Sequence, residues 1–505
     1  MEEPRLSKVT ITLFWLSLLG AWMVLLVTKH WGLGLGPESI VYVQAAKNFI
    51  TGQGLSVFSG TGKALPLTQF PPLFPFLLSW GWFLGMDVYT WARFLHAALF
   101  GVNIFLAGML AFTYSRKLSS AVLASVFLLF SVHIFEAHVM LLPTSLFLAE
   151  ALGFLLALAL FLKSNTRGSF YAALLLAVAA GLTHVMGVVL ILSGTMALLL
   201  LSSRELGERV RRTSFFAVCT LFPVILWHVW KQIFPAPEGA GYYQLHWPSW
   251  GSLHSAINTV SCWLLPPTAP EGVRWVVLGL AIGVVFALAR RKEATTTPQS
   301  SQVGLALLLF LGTSLAAVVV KGFLVRGGSS LGHCDLVLVY SVLFVLLATN
   351  WHVLWDQGNL SAGVRRVIIA GLIVFVGLTV FRSAHFGTGF YNSGAGYNSK
   401  AWVDSQVVRN LRALDDVPVY TNDPLAVYYL TGRPAVMLPR CCQQLNNFPA
   451  GEKIAGDFSR LRAVAVIFLP ACDNGTALAQ AIPAVQLERY MGDSVADIYG
   501  VKHKH

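Results

Sequence analysis

Apolar windows of about 17 to 22 residues recur along almost the whole chain, far more than one soluble core could bury. They lie near residues 10–28, 92–114, 119–135, 145–162, 169–183, 186–202, 213–231, 273–290, 303–321, 334–351 and 366–381. That pattern predicts an α-helical polytopic membrane protein with about eleven transmembrane helices. Composition agrees: of 505 residues, 56% are hydrophobic and only 11% charged, where a soluble domain carries roughly a quarter charged. The net charge of +12 is no nucleic-acid signal, because most basic residues fall in short loops between windows. No small-x-small cleavage site follows Val27-Thr28-Lys29-His30, so the first span is expected to be retained.

The basic loops set the sidedness. Arg5/Lys8, Arg116/Lys117, Lys163/Arg167, Arg204/Arg209/Arg211/Arg212, Arg290/Arg291/Lys292 and Arg365/Arg366 share one side if the shorter run Pro71–Leu84 does not cross. By the positive-inside rule that side is cytoplasmic, together with the N-terminus. Pro71–Leu84 then reads as a re-entrant or interfacial helix, with a twelfth span as the alternative. Three segments face outward: Lys29–Trp91, Lys231–Arg274 and Ser383–His505. We divide the chain into a transmembrane domain, 1–382, which includes the first outer loop 29–91, and an extracytoplasmic domain, 383–505.

The tail is richer in charge and alternates short apolar runs. Val417–Tyr420, Ala435–Leu438 and Val464–Leu469 are expected strands. Leu425–Leu430, Lys453–Leu461 and Ala477–Ala481 are expected helices, giving a small α/β domain. The six cysteines show no metal-type spacing. Cys219 and Cys334 read as buried apolar residues, while Cys441, Cys442 and Cys472 lie where an oxidising compartment permits one disulfide. Asn474-Gly475-Thr476 is a glycosylation sequon only in a eukaryotic lumen.

Several chemistries are absent as motifs: there is no nucleotide-phosphate loop, HExxH, GxSxG or dinucleotide fingerprint. Few acids lie within the windows, which argues against an ion-coupled carrier. Polar residues gather instead at the outer helix ends: Glu38, His133, Glu136, His138, His184, His228, His246, Arg326, His333 and Asp335. Such a crown suits an enzyme working on a lipid-linked substrate, although each residue alone also reads as an interfacial side chain. Glu38 stands out as a carboxylate where the chain leaves the first span. An amphipathic helix is expected after it, with Val41, Ala45, Phe49 and Ile50 on one side and Gln44, Lys47 and Asn48 on the other.

Here the sequence resembles a family. Glu38-Ser39-Ile40-Val41-Tyr42, Ala45-Ala46-Lys47-Asn48-Phe49, Gly52-Gln53-Gly54-Leu55 and Pro66-Leu67-Thr68-Gln69-Phe70-Pro71-Pro72-Leu73-Phe74-Pro75 look like the first outer loop of the C-type, multi-spanning glycosyltransferases. That superfamily includes the protein-mannosyltransferase and aminoarabinose-transferase relatives. Ala92-Arg93-Phe94-Leu95-His96-Ala97 resembles its entry to the second span. In the tail, Val419-Tyr420-Thr421-Asn422-Asp423-Pro424 and Tyr429-Leu430-Thr431-Gly432-Arg433-Pro434-Ala435 resemble two short family segments.

The resemblance implies an inverting hexosyl- or pentosyltransferase of the inner membrane. It would move a sugar from a polyprenyl-phosphate donor to a lipid, glycan or protein acceptor on the outer face. Glu38 takes the general-base position, and Lys63, Arg93 and Arg326 are the candidates for the donor phosphate. Arg93 has the plainer reading of an anchor at a span end. Tyr42, Glu136, His138, His184 and His333 are candidate substrate contacts. No metal or other cofactor is assigned, since Glu38 and Glu136 are a thin set of hard ligands. Three stretches depart from the family pattern: Thr144 stands where relatives carry an acid, Gly332-His333-Cys334-Asp335-Leu336 where an Arg-Tyr-x-x-Pro motif is common, and His184 where an arginine is frequent. A lipid-sugar carrier and a non-catalytic scaffold of the same fold are the competing readings. The aromatic residues Trp247, Trp250 and Trp263 fit sugar stacking and a membrane-interface belt equally.

Overall fold

The computed structural model describes residues 3–58, 64–234, 250–280, 298–324, 333–356, 362–413, 417–437, 457–458, 463–469 and 487–501. The protein is an integral membrane protein made mostly of helices. Six described helices are long and apolar enough to cross a bilayer: Leu6–Val27, Val88–Ser115, Thr144–Ser164, Leu206–Ile233, Gln302–Val320 and Ile369–Ser393. Arg167–Thr183, Gly187–Leu201 and Leu336–Asn350 are shorter apolar helices at three further expected windows. The window 273–290 leaves the described residues after position 280.

The window 119–135 differs from expectation. It is broken into Leu118–Leu129 and Val132–Val139, bent by 57°. Ser131 starts the second piece by accepting a hydrogen bond from the Ile134 amide at 3.4 Å, so a cap substitutes for the interrupted helical ladder. Leu73–Leu84 is about 18 Å long at 1.5 Å per residue, well short of a hydrocarbon core of about 30 Å. Its end exposes Trp80, Trp82, Phe83 and Leu84, side chains at home at a membrane interface.

Chain contacts divide the molecule into two compact units. The first comprises Met1–Val27, Thr68–Phe74 and Arg93–Thr388. In it, Thr144–Ser164 packs along Arg167–Thr183, and Pro298–Leu324 packs against Gly187–Leu201. Thr144–Ser164 is the most enclosed of the long helices, while Ile373, Val374 and Phe381 on Ala362–Ser393 point outward. Close approach is built from small residues. A Cβ on Gly101 would lie 2.8 Å from the Ser17 carbonyl oxygen.

The second unit comprises Thr28–Leu67, Pro75–Ala92 and Gly389–His505. A short hairpin, β1 (Ser56–Phe58) with β2 (Ala64–Pro66), closes beneath helix Pro37–Ile50. The tail carries a mixed five-stranded sheet from β3 (Val419–Thr421), β4 (Val436–Met437), β5 (Val464–Phe468), β6 (Leu487–Gly492) and β7 (Ala496–Val501), in the order β4-β3-β5-β7-β6. β3 pairs in parallel with β4 and β5, while β7 is antiparallel to β5 and β6. The strands expected around 417–420, 435–438 and 464–469 and the helix at 425–430 are present; the helix expected at 477–481 lies outside the described residues, as does most of that at 453–461. The β6–β7 hairpin was not anticipated, because only Asp493-Ser494 marks its turn.

Asp493 ties that hairpin to helix Gln406–Ala413. Its carboxylate accepts from Ser405 Oγ (2.7 Å), the Val407 amide (3.3 Å) and the Val495 and Ala496 amides (2.8 and 3.1 Å). Burial pushes its pKa up, but these hydrogen bonds outweigh it and hold the carboxyl below the usual carboxylate range. A depressed folded pKa gives stability that is present above the unfolded pKa and lost as pH falls through the folded one. We expect hydrogen exchange at Gln406–Ala413 to accelerate as pH drops below about 4, after correction for intrinsic rates. Asp493→Asn should give fast exchange already at neutral pH and remove that dependence.

Candidate active site

Helix Pro37–Ile50 begins with Gly36 at the cap, Pro37 in the first turn and Glu38 next to it. Proline is pre-shaped for that position, and an acid there faces the positive end of the helix dipole. Ser39 Oγ accepts from the Gly36 amide at 3.0 Å, closing the turn. Glu38 is exposed and Tyr42, one turn on, is buried. Burial first, and the Glu38 charge second, push the Tyr42 hydroxyl well above its ordinary pKa.

The polar side expected of this helix is largely inside. Gln44 and Asn48 are 3% and 6% exposed, whereas Phe49 is 37% exposed. The hairpin accounts for Asn48, whose amide donates to the Ser56 carbonyl at 2.9 Å. Lys47 stays exposed, its ammonium 4.8 Å from the centre of the Tyr89 ring.

The first unit gathers the other candidates differently from expectation. Arg93 donates to the Leu25 carbonyl at 2.6 Å, tying its helix to the first span. His138 is enclosed: the Asn103 amide donates to its Nε2 (2.8 Å) and to the Ser145 carbonyl (3.0 Å). An amide nitrogen only donates, so His138 Nε2 accepts and Nδ1 carries the proton, donated to the Ile134 carbonyl at 2.6 Å. His96 joins through Nδ1, which donates to the His138 carbonyl at 3.2 Å. Glu136 lies half-buried on Val132–Val139. His184 follows helix Arg167–Thr183, accepts from the Met186 amide at 3.2 Å and stacks on Phe147 at 4.9 Å. His333 is the first residue of helix His333–Asp356. Lys63, Arg326 and the three tail cysteines lie outside the described residues. Among the described cysteines, Cys219 is half-buried and Cys262 buried, both with free thiols.

A cationic centre that sequence reasoning missed lies within the first unit. Ser131, His133, Trp263, Tyr340, Thr379 and Arg382 line a small pocket with Phe130 and Val132. Arg382 Nη2 donates to the Cys262 carbonyl at 2.9 Å, and His133 Nε2 to the same oxygen at 3.4 Å. Arg274, only 9% exposed, donates from Nη1 to Cys262 Sγ at 2.8 Å. Among the described residues neither guanidinium is paired with a carboxylate. Two sheltered, uncompensated cations that converge on one residue suit an anion. Their only sequence signal was a basic residue at the end of an apolar window.

No protein-family model and no curated protein matches the sequence. Solved structures do match. The crystal structure of ArnT from Cupriavidus metallidurans bound to undecaprenyl phosphate aligns over 97% of either chain, with a TM-score of 0.59 at 14% identity. Its apo state gives 0.56 at the same coverage. The chain has the fold of ArnT. Arabinofuranosyltransferase AftD from Mycobacteria matches 97% of this chain and 40% of its own, with a TM-score of 0.51 at 15% identity.

Within this fold Thr144, the neutral residue where relatives carry an acid, is buried at the start of its helix. The same helix holds a different acid, Glu150, 5% exposed, which accepts from Thr183 Oγ1 at 2.9 Å. Among the described residues no group of three His, Cys, Asp or Glu side chains converges on a metal-sized site. The His138 cluster is structural by its enclosure. Asn103→Ala should lower unfolding stability by about 1–3 kcal/mol, because it orphans the buried His138 Nε2. Thermal unfolding in detergent checks this, an unchanged transition counting against it.

Proposed function

We propose that this protein is an inverting glycosyltransferase of the inner membrane that takes its sugar from a polyprenyl-phosphate donor. The observation that carries this reading is the pair of uncompensated guanidinium groups, Arg274 and Arg382, in a fold shared end to end with ArnT bound to undecaprenyl phosphate. A hexose or pentose would pass to a lipid, glycan or protein hydroxyl on the extracytoplasmic face, with the N-terminus cytoplasmic and the tail outside.

The chemistry balances with the residues present. Glu38, exposed and charged at a helix start, takes the proton of the acceptor hydroxyl. That oxygen forms a bond to the anomeric carbon as the bond from carbon to phosphate oxygen breaks, which inverts the centre. The electron pair leaves on the polyprenyl phosphate, and Arg274 and Arg382, with His133 beside them, stabilise the charge that develops there. Lys63 and Arg326 are further candidates for that phosphate. No step in this sequence needs a redox partner or a nucleotide.

Sugar release from a panel of polyprenyl-phosphate monosaccharides, by purified protein in nanodiscs, tests the reading. Glu38→Gln is expected to lower kcat by at least a hundredfold while leaving donor affinity within twofold. Arg382→Gln and Arg274→Gln should weaken donor binding at least tenfold, about 1.4 kcal/mol each. Donor affinity untouched by both arginine variants would remove the phosphate assignment. Donor binding without turnover of any sugar would favour the scaffold reading.

A further inference from the structure

The three residues before the Gly36 cap are gripped by the turn that opens the tail. The Leu35 amide donates to the Ala395 carbonyl at 3.4 Å, and the Tyr397 amide donates to the Leu35 carbonyl at 2.9 Å, a parallel bridge centred on Gly396. Asn398 Nδ2 donates to the Leu33 carbonyl at 3.0 Å. Leu33 and Leu35 are themselves buried. The fit leaves no room: Gly396 has φ +60°, and a Cβ there would lie 1.9 Å from the Leu35 oxygen. Gly394, at φ +61°, also leaves little space, a Cβ there lying 2.9 Å from Trp31 and the Asn398 carbonyl.

The same turn is held from its other side by helix Pro424–Thr431. Tyr429 donates its hydroxyl to Asn398 Oδ1, and Tyr397 donates its hydroxyl to Asp423 Oδ2. Asp423 caps that helix, its Oδ1 accepting from the Ala426 amide at 3.1 Å. His30 and Tyr391 add a further contact, Nε2 to hydroxyl, at 2.6 Å. Hydrogen bonds therefore run without a break from the tail helix to the backbone three to five residues before Glu38. The amide of Asn398 sits in the middle, accepting from the tail helix and donating to the loop.

From this geometry we infer that the turn 394–398 is a positioning element for Glu38, with Asn398 and Tyr397 as its positioning residues. The tail sets where the helix that bears the carboxylate begins, and so the reach of its oxygens toward an acceptor hydroxyl. Misplacing a catalytic group by about 1 Å can cost on the order of a hundredfold in rate. A residue that only orients the base acts on kcat, because the donor phosphate is held by other side chains. The inference rests on the general-base reading of Glu38.

Full-length protein in nanodiscs carries the test, with Asn398→Asp as the main variant. It keeps the size of the side chain and the acceptor for Tyr429 but loses the donor to Leu33. Expected are at least tenfold faster hydrogen exchange across 33–40, a kcat lowered at least tenfold and a donor KM within twofold of wild type. Tyr429→Phe should shift both readouts in the same direction by a smaller amount. Wild-type exchange and kcat in Asn398→Asp, with Glu38→Gln inactive, would overturn the positioning role alone. Full turnover by Glu38→Gln would overturn the base reading and the positioning role with it. Loss of donor binding and of folded protein together with kcat would mark a merely structural contact and also overturn it.

Discussion

Inside a bilayer no water is at hand to satisfy a polar group, so each one must find a partner in the protein. That constraint shapes this molecule from the backbone outward. It makes the spans helical, and it explains why the polar side chains within them come in sets. His96, Asn103, His138 and Ser145 close on one another. Glu150 takes the Thr183 hydroxyl. Arg93 spends its guanidinium on a carbonyl of the first helix.

Against that background the centre around Cys262 differs in kind. Arg274 and Arg382 have hydrogen bonds, yet to a thiol and a carbonyl, neither of which cancels a charge. Two sheltered guanidinium groups without a described carboxylate leave net positive charge where they meet. Such an arrangement is costly unless an anion completes it. The bidentate fork of arginine matches phosphate geometry. Under the proposed reading, the departing polyprenyl phosphate would supply that anion.

Much of this was legible in the residues. Glu38 was singled out because a carboxylate just beyond a span has few structural uses, and the structure exposes it in the first turn of a helix. The tail strands showed as short apolar runs, and three of them took their expected places. Histidines misled. His138 sat among the outer polar residues by sequence position, yet it is sealed in a core network, because a bent helix turns it inward. Gln44 and Asn48 were assigned to a solvated face on helical spacing alone. Spacing knows nothing of a hairpin folding beneath the helix to take up the Asn48 amide.

What the sequence determined by itself is what depends on local composition and period. Apolar run length sets the membrane class, and a proline and an acid after glycine begin the Glu38 helix. What only the tertiary structure decided is which distant groups meet. Arg382 reaches Cys262, beside Arg274, across 120 residues of chain, and the 394–398 turn grips a loop some 360 residues earlier. Neither leaves a periodic trace, because a guanidinium or an amide needs only one partner at the right distance, and any chain separation can supply it.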